Sequence, residues 1–503
     1  MARKPRTVVG FDTEDDGNGN PFLFCFTWAG GRTHFTTKHD ALSWIERFSM
    51  AEKVAGRKVE LWATNLEYDL VNLFPRDRLG ELSFRFGRSF LCGASWRGAD
   101  FRDTVRHLPA SVAELGELVG LKKKEEKLFD RKHRTQAAYL RRCMTDSAIT
   151  YRAAKMFHKS YAAFGEHPRM TLASTALSIW REQFWQRQTR KVRQEVWDAG
   201  FSAYHGGRTE AFSIGEHEDV SIIDVASMFP WAMTSAELPL PWGLYGRARP
   251  GDEVLGRGIY DVTVTSDLAV PRLPVRTPEG TIYPNGSWRA WYVGEELLAF
   301  QRAGGKVRVH GGIVFGELCR PFDGYVNTMF HKKQAARGLD RTMFKLLLNA
   351  LYGKFGQRGR VVRAMSIERY MELERIPVHA REWNGLVVFP EDGPTPPWSN
   401  MVWPAFVTAR ARVRLADELA RLRSRGCRIL YTDTDSVMFT GAARYRKKAQ
   451  AIGDFELRGR YKKAVLVGKK EYALDLGRGR FECHAKGVPS MERYAFLTTG
   501  TAT

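Results

Sequence analysis

The chain has 503 residues, more than one hydrophobic core supports, so two or more domains are expected. Hydrophobic residues make up 44% and charged residues 27%, the balance of a soluble globular protein, and no apolar run approaches a membrane span. Lys and Arg number 78 against 56 Asp and Glu, and a net charge of +22 favours a polyanionic partner, nucleic acid ahead of a membrane surface.

The opening "MARKPRTVVGFDTEDD" is basic but reaches acids before a signal-peptide core can form, so a cytoplasmic location is expected. Residues 7–30 alternate as strands around the turn "GNGNP". The strand "VELWATN" ends at Asn65, and "LEYDLVNLF" follows it with helical spacing. "SFRFGRSFLCGASWRGADFRDT" continues as hairpin. Helices then run from "SVAELGELVG" through "RTQAAYLRRCMTDSAITYRAAKMFHKSY", giving a helix-covered sheet to about residue 190.

After "FSAYHGGRTEAF" the strand "VSIIDVAS" runs directly into "MFPWAM". Pro and Gly are dense from 239 to 290, which predicts a loop-rich insertion. "DRTMFKLLLNALYGKFGQ" is helical. The irregular "EDGPTPPWSN" precedes a long basic helix, "TARARVRLADELARLRSRG", which leads into the hairpin "RILYTDTDS". The six cysteines are scattered without a CxxC pair, against both a disulfide framework and a structural zinc site. "FECHAKG" sets Cys483 beside His484, and two adjacent ligands fall short of a site.

Two apolar strands end in acids: "SIID" brings Asp224 to its tip, and "RILYTD" leads to Asp433 and Asp435. Asp and Thr are ordinary turn residues, but paired carboxylates repel and cost desolvation unless a cation neutralises them. Magnesium takes few carboxylates and completes its shell with water and phosphate oxygens. Such ions can activate a 3′-hydroxyl and stabilise departing pyrophosphate. In "KLLLNALYG", Lys345, Asn349, Tyr352 and Gly353 are predicted on one helix face, as a solvated polar stripe or as a nucleotide surface. Asn349 and Gly353 lower helix propensity, which calls for another reason to have them there. The N-terminal region has its own acids: Asp12 and Glu14 two residues apart on a strand, Asp69 in "NLEYD" and Asp146 in "CMTDSAITY".

"DVASMFP" (224–230), "KLLLNALYG" (345–353) and "YTDTDS" (431–436), in this order, resemble the three polymerase motifs of the family B DNA polymerases. The resemblance implies Asp224 and Asp435 as principal metal ligands with Asp433 supporting, and Lys345, Asn349, Tyr352 and Gly353 as nucleotide-binding residues. Phe229 takes the position of the steric-gate aromatic, usually Tyr, and Ala350 replaces the usual Ser. "YHGGR" is similar to the template-contacting linker motif, giving Tyr204, Gly206 and Gly207. "KKEY" resembles the primer-end element, giving Lys470 and Tyr472. The N-terminal acids look like the family's 3′–5′ proofreading exonuclease. There Asp12, Glu14 and Asp146 would hold metal with Asp69 also catalytic, and Asn65 and Ser111 would contact DNA. A lysine of "LKKK", Lys122 or Lys124, would be an accessory. The family's third exonuclease motif carries Tyr four residues before its Asp, where this chain has Arg142.

The implied architecture is multidomain, α/β and α+β. An RNase H-like exonuclease domain is expected at 1–190 and a polymerase domain at 191–503. The latter divides into palm (about 191–245 and 403–485), a loop-rich insertion (about 246–325), fingers (about 326–357), a second insertion (about 358–402) and a residual thumb (about 486–503). The implied cofactor is Mg2+, or Mn2+, two ions per active site. The implied partners are DNA template and primer, dNTPs, a terminal protein and a single-stranded DNA-binding protein, with no membrane, in a bacterial or phage-infected cell. The compact length and the two insertions resemble the protein-primed members from phages, linear plasmids and mobile elements. The alternatives are a nucleic-acid-primed or self-priming member, or a DNA-binding protein with a decayed site, against which intact Asp224, Asp433 and Asp435 speak.

Overall fold

A computed structural model of the chain describes residues 5–87, 90–123, 136–373, 379–478 and 480–485. The expected thumb at 486–503, and Lys124, lie outside the described residues. The chain divides into two units. One comprises 1–187, 327–354 and 358–396; the other comprises 188–326, 355–357 and 397–503.

The first unit is built on a seven-stranded mixed sheet. Its order is Gly31–Phe35, Pro21–Trp28, Arg6–Asp15, Lys58–Ala63, Ala99–Asp103, Leu91–Trp96 and Ser83–Phe86. Arg6–Asp15, Lys58–Ala63 and Ala99–Asp103 run parallel, and the outer neighbours pair antiparallel. Alternation along Arg6–Asp15 sends Val9 and Phe11 into a core with Phe24, Phe26, Leu61 and Phe101. The intervening Gly10 and Asp12 face the long helix Gln136–Ala162. Gly10 permits that approach: a Cβ there would meet Ser147 O at 2.3 Å and Tyr151 N at 2.4 Å. Asp146 is thereby brought against the strand that carries Asp12 and Glu14.

The second insertion is a folded element. Arg360–Ser366, Leu386–Asp392 and Arg381–Trp383 form a three-stranded sheet, and the residues after 392 are irregular, as expected. Trp383, Leu386 and Val388 join the hydrophobic cluster of the large sheet. Trp383 stands edge-on to Phe84 at 5.1 Å and Phe86 at 5.5 Å, and its Nε1 donates to Glu67. Helix Gly338–Ala350 packs on helix Leu172–Ile179, and Ser160 Oγ donates to Asp340 at 2.8 Å.

The second unit is built on a seven-stranded antiparallel sheet. Its order is Phe481–His484, Glu471–Asp475, Phe455–Gly468, Gly215–Val225, Ser436–Thr440, Arg428–Asp433 and Thr209–Ala211. Ile223, Val225, Val437 and Phe439 bury one face with Leu415, Leu419 and Leu422 of helix Val402–Ser424. The two-residue period therefore turns Ile222 and Asp224 to the opposite face, where Ile222 packs with Tyr431 and Met438.

The expectation of a loop-rich insertion at 246–325 is corrected. Tyr245–Ala248, Lys306–Phe315, Gly258–Ser266 and Gly286–Val293 form a four-stranded antiparallel sheet. A hairpin (Val275–Thr277, Gly280–Ile282) and helix Gly294–Arg302 complete it. Pro and Gly mark the turns between short strands there, not a lack of strands. The helix that reads as basic also has buried cations. Arg412 makes two 2.7 Å hydrogen bonds to Glu296, with the side chains 1% and 2% exposed, and Arg410 pairs with Glu295 at 2.7 Å.

Candidate active sites

On the open face of the second unit's sheet, Asp224 sits one residue from the end of its strand, in register with Ser436. Val225 N donates to Asp435 O at 2.8 Å, which fixes the strand carrying Asp224 to the turn carrying Asp435. Asp433 and Ser436 close that turn around Thr434 and Asp435. Thr434 has φ 63°, an uncommon conformation for a β-branched residue. Two neighbours hold it there. Thr434 N donates to Arg208 O at 2.7 Å, and a Cβ on Gly207 would lie 2.8 Å from Thr434 Cγ2. The template-motif loop thus packs directly on the carboxylate turn.

Asp433 accepts from Lys470 Nζ at 2.6 Å, Thr209 Oγ1 at 3.0 Å, Tyr431 OH at 3.2 Å and Thr434 Oγ1 at 3.2 Å. Burial works against its charge, but Lys470 and Thr209 hold its pKa below the usual carboxylate range. Lys470 N donates to Tyr431 OH at 3.0 Å, and Tyr472 lies 5.6 Å from Tyr431, centroid to centroid. Both residues of the primer-end motif therefore stand beside the carboxylates. Phe229 is half-buried in the first turn of helix Met228–Thr234. Tyr204 caps helix Gln194–Ala203, and its carbonyl accepts from Arg276. Arg412 also donates to His205 O at 2.5 Å and Gly206 O at 3.0 Å.

The donor set suits a hard divalent ion: carboxylate oxygens only, from Asp224, Asp433 and Asp435. Among the described residues no three His, Cys, Asp or Glu side chains form a ready-made cage.

In the first unit, the four acids named from sequence come together. Asp69 accepts from Thr13 N at 3.0 Å and Thr13 Oγ1 at 2.7 Å. Burial, then the charges of Asp69, Asp146 and Glu14, push the Asp12 pKa well up; burial raises Asp69, Asp146 and Glu14 as well. Asp146 Oδ1 is buried without a hydrogen-bond partner. Crowded carboxylates with an orphaned oxygen fit a bound cation. Cations of the chain itself reach the rim: Lys123 Nζ lies 2.8 Å from Asp146 Oδ2, and Arg142 Nε 3.2 Å from Glu14 Oε1. An accessory lysine is expected at 122 or 124; Lys124 lies outside the described residues, and it is Lys123, not Lys122, that pairs with Asp146. Ser111 caps helix Val112–Leu118 in a capping box with Glu114. Asn65 is exposed at φ 72°, its N–H donating to Asp103 Oδ1 at 3.2 Å.

Over 345–353 the chain is helical: helix Gly338–Ala350 and the short helix Tyr352–Phe355 are separated by Leu351 alone, whose φ −72° and ψ −51° are helical. Lys345 is exposed, and Asn349 Nδ2 bonds back to Lys345 O at 2.8 Å, closing the last helical turn. Gly353 has open space around it. Sequence reading missed Thr209, Thr434 and Arg412 as supports. Thr434 lay within the quoted motif, but Arg412 and Glu296 stand 116 positions apart with no local signal.

The structure thus carries two carboxylate clusters, Asp224, Asp433 and Asp435 on the antiparallel sheet of the second unit and Asp12, Glu14, Asp69 and Asp146 on the mixed sheet of the first. Residues 113–383 match the model of the family described as DNA polymerase type B, organellar and viral. The chain belongs to that family. It is 26% identical over 410 residues to the DNA-directed DNA polymerase of Enterobacteria phage PRD1, covering 78% of this chain and 69% of that one. It is 24% identical over 346 residues to a probable DNA polymerase of Podospora anserina, covering 61% of this chain and 29% of that one. The chain thus spans under a third of the fungal relative's length. The structure of Phi29 DNA polymerase with primer-template DNA and incoming nucleotide shares the fold. Its TM-score is 0.78 at 17% identity, over 98% of this chain and 94% of that chain.

Proposed function

We propose that the chain is a template-directed DNA polymerase that adds dNMP to a 3′-hydroxyl, with a weakened 3′–5′ exonuclease. The observation that carries this is the convergence of Asp224 with the Asp433–Asp435 turn on one sheet face, tied by the Val225–Asp435 backbone bond. Asp224 and Asp435, supported by Asp433, would hold Mg2+ or Mn2+. Two such ions supply activation of the 3′-hydroxyl and neutralisation of the leaving pyrophosphate. Lys470 and Tyr472 would grip the primer end. Phe229 would exclude a ribose 2′-hydroxyl by bulk. Tyr204, Gly206 and Gly207 would guide the template, and Lys345, Asn349, Tyr352 and Gly353 would serve the incoming dNTP.

Asp12, Glu14, Asp69 and Asp146 would form the exonuclease site, with a second ion pair bound chiefly by Asp12, Glu14 and Asp146. Asn65 and Ser111 would face the single strand, and Lys123 would screen the developing charge. The proposed domains follow the sequence reading: exonuclease at 1–190, polymerase at 191–503. Among the described residues no helix is long and apolar enough to cross a membrane, and the proposed setting is the cytoplasm of a bacterial or phage-infected cell.

The test is dNTP incorporation by purified protein on a primed template, with and without divalent metal. Metal-dependent extension, abolished in Asp224→Asn and Asp435→Asn while DNA binding persists, is the expected result. Binding without extension would favour a DNA-binding protein with a decayed site.

Protein priming is supported by the size of the folded insertion at 246–325, whose four-stranded sheet offers a platform for a terminal protein. Radiolabelled dNTP should then become attached to a hydroxyl of that partner. Strict dependence on an oligonucleotide would favour a nucleic-acid-primed or self-priming enzyme. A single-stranded DNA-binding protein is the other proposed partner.

A further inference from the structure

Strand Phe455–Gly468 pairs with the strand of Asp224, and its register slips once. Leu457 opposes Ile223 and Gly459 opposes Ile222, so Arg458 is the extra residue of a β-bulge beside the carboxylate. Bulges next to active sites re-aim one side chain. Glycine follows it for a steric reason, because a Cβ at Gly459 would meet Tyr461 OH at 2.7 Å.

The re-aimed guanidinium stands on the flank of Asp224 away from the Asp433–Asp435 turn. It donates to Glu482 Oε1 at 2.5 Å, and its charge counters the rise that burial causes in the Tyr472 pKa. Burial disfavours its charge, but Glu482 and then Asp224 hold its pKa up. The side chain is 37% exposed, so a ligand on the open face can reach it. His484 lies tilted against Tyr472, 4.7 Å between ring centroids, and its Nε2 is 3.1 Å from Glu482 Oε1.

We propose that Arg458 binds the phosphodiester next to the primer's 3′-terminal nucleotide, placing the 3′ end between Tyr472 and Asp224. The inference rests on the polymerase reading. A strand gripped at Tyr472 and reacting at Asp224 must pass its last phosphate between them, where Arg458 lies. A guanidinium suits this task, since its planar fork reads phosphate oxygens in pairs and stays charged. Glu482 is its counter-ion until DNA arrives.

Extension by the wild-type enzyme is measured first, and its failure would sink the polymerase reading alone. Given extension, Arg458→Ala should lower kcat/KM for primer-template about ten- to a hundredfold, with Arg458→Lys in between. Glu482→Gln should stay within about twofold, because it removes the counter-ion and keeps the guanidinium. If the ion pair merely braced the sheet, Glu482→Gln would match Arg458→Ala, and the proposal would fall.

The direct readout is a primer whose last linkage is an uncharged methylphosphonate. It should slow the wild type about as much as Arg458→Ala does on a natural primer, and cost that variant little more. An undiminished penalty in Arg458→Ala, or natural-primer extension at the wild-type rate, would overturn the assignment.

Discussion

Gly207 lies under Thr434 so closely that any Cβ on it would stand 2.8 Å from the threonine Cγ2. Thr434 meanwhile holds φ 63° between two carboxylates, pinned by the Arg208 carbonyl. Gly207 thus sets the shape of the Asp433–Asp435 turn. Gly207→Ala should reduce dNTP incorporation at least about tenfold, with a stability loss of about 1–2 kcal/mol. Thr434→Gly removes both the clash and the strained branched residue. The double variant should therefore recover much of the lost activity, a coupling that a double-mutant cycle reads directly.

The aromatic proposed as the steric gate gives a second outcome. Phe229 is the second residue of helix Met228–Thr234, whose N-cap Ser227 has a φ of 56° that turns the chain out of the strand of Asp224. Phe229→Ala should raise ribonucleotide use relative to dNTP by about tenfold or more, because bulk alone discriminates there. Competition assays with rNTP and dNTP on one template check it, and an unchanged ratio would remove Phe229 from the gate.

Asp12 carries a cost in folding. A carboxylate whose folded pKa is raised binds more protons folded than unfolded, so its penalty grows as pH rises above the ordinary carboxylate value. Without divalent ions, Asp12→Asn should therefore raise unfolding free energy on the order of 1–3 kcal/mol at pH 8 while abolishing excision. Denaturant titration in EDTA checks the first half. A destabilised variant would mean that the acids do not repel one another as placed.

The first unit also has an acid limit of different origin. His107 is fully buried between Tyr161 OH at 3.0 Å and Arg169 O at 2.9 Å, and burial followed by Arg102 pushes its pKa down to about 3. The unfolded histidine takes a proton near pH 6.5, so stability falls as pH drops below that, by about 1.4 kcal/mol per unit until about pH 3. Glu60 adds to this lower down. Burial opposes its charge, but His158, Arg102 and Arg6 hold its pKa to about 2, so its contribution is present above about pH 4.3 and is lost toward pH 2. Denaturation between pH 7 and 5 should show the histidine slope, and His107→Gln should flatten it while lowering stability overall.

What could be read from the chain was whatever is local. Asp224, Asp433 and Asp435 stood out because an apolar strand ending in acids is a short pattern with a physical cost. Asp12 and Glu14 were legible for the same reason. The insertion at 246–325 was misread because Pro and Gly report where a chain turns, not how far apart the turns lie. The helical spacing of 345–353 is local too, and Leu351 keeps helical φ and ψ between helices Gly338–Ala350 and Tyr352–Phe355. Arg412–Glu296 was invisible because only the tertiary fold brings its two halves together. Lys123 shows the limit of spacing within a lysine run, since a loop decides which of several equal side chains points inward.

Arg142 is the departure with the clearest consequence. Its Nε lies 3.2 Å from Glu14 Oε1, and it helps to keep the Glu14 pKa from rising further under burial. It is permanently cationic and has no acceptor, so it cannot orient an attacking water as a phenol would. Tyr139 cannot stand in, because it is buried edge-on against Phe22 at 5.1 Å in a small core with Cys25 and Cys143. Arg142→Tyr should therefore raise excision of a mismatched 3′ end by about tenfold. It should also move the acid limb of excision to higher pH. Glu14 loses the cation that favoured its ionised form, and it must be ionised to hold metal. Asp12→Ala in the same background should abolish the gain. A rate unchanged or lower, with the limb unmoved, would mean that Arg142 does not occupy the tyrosine's place.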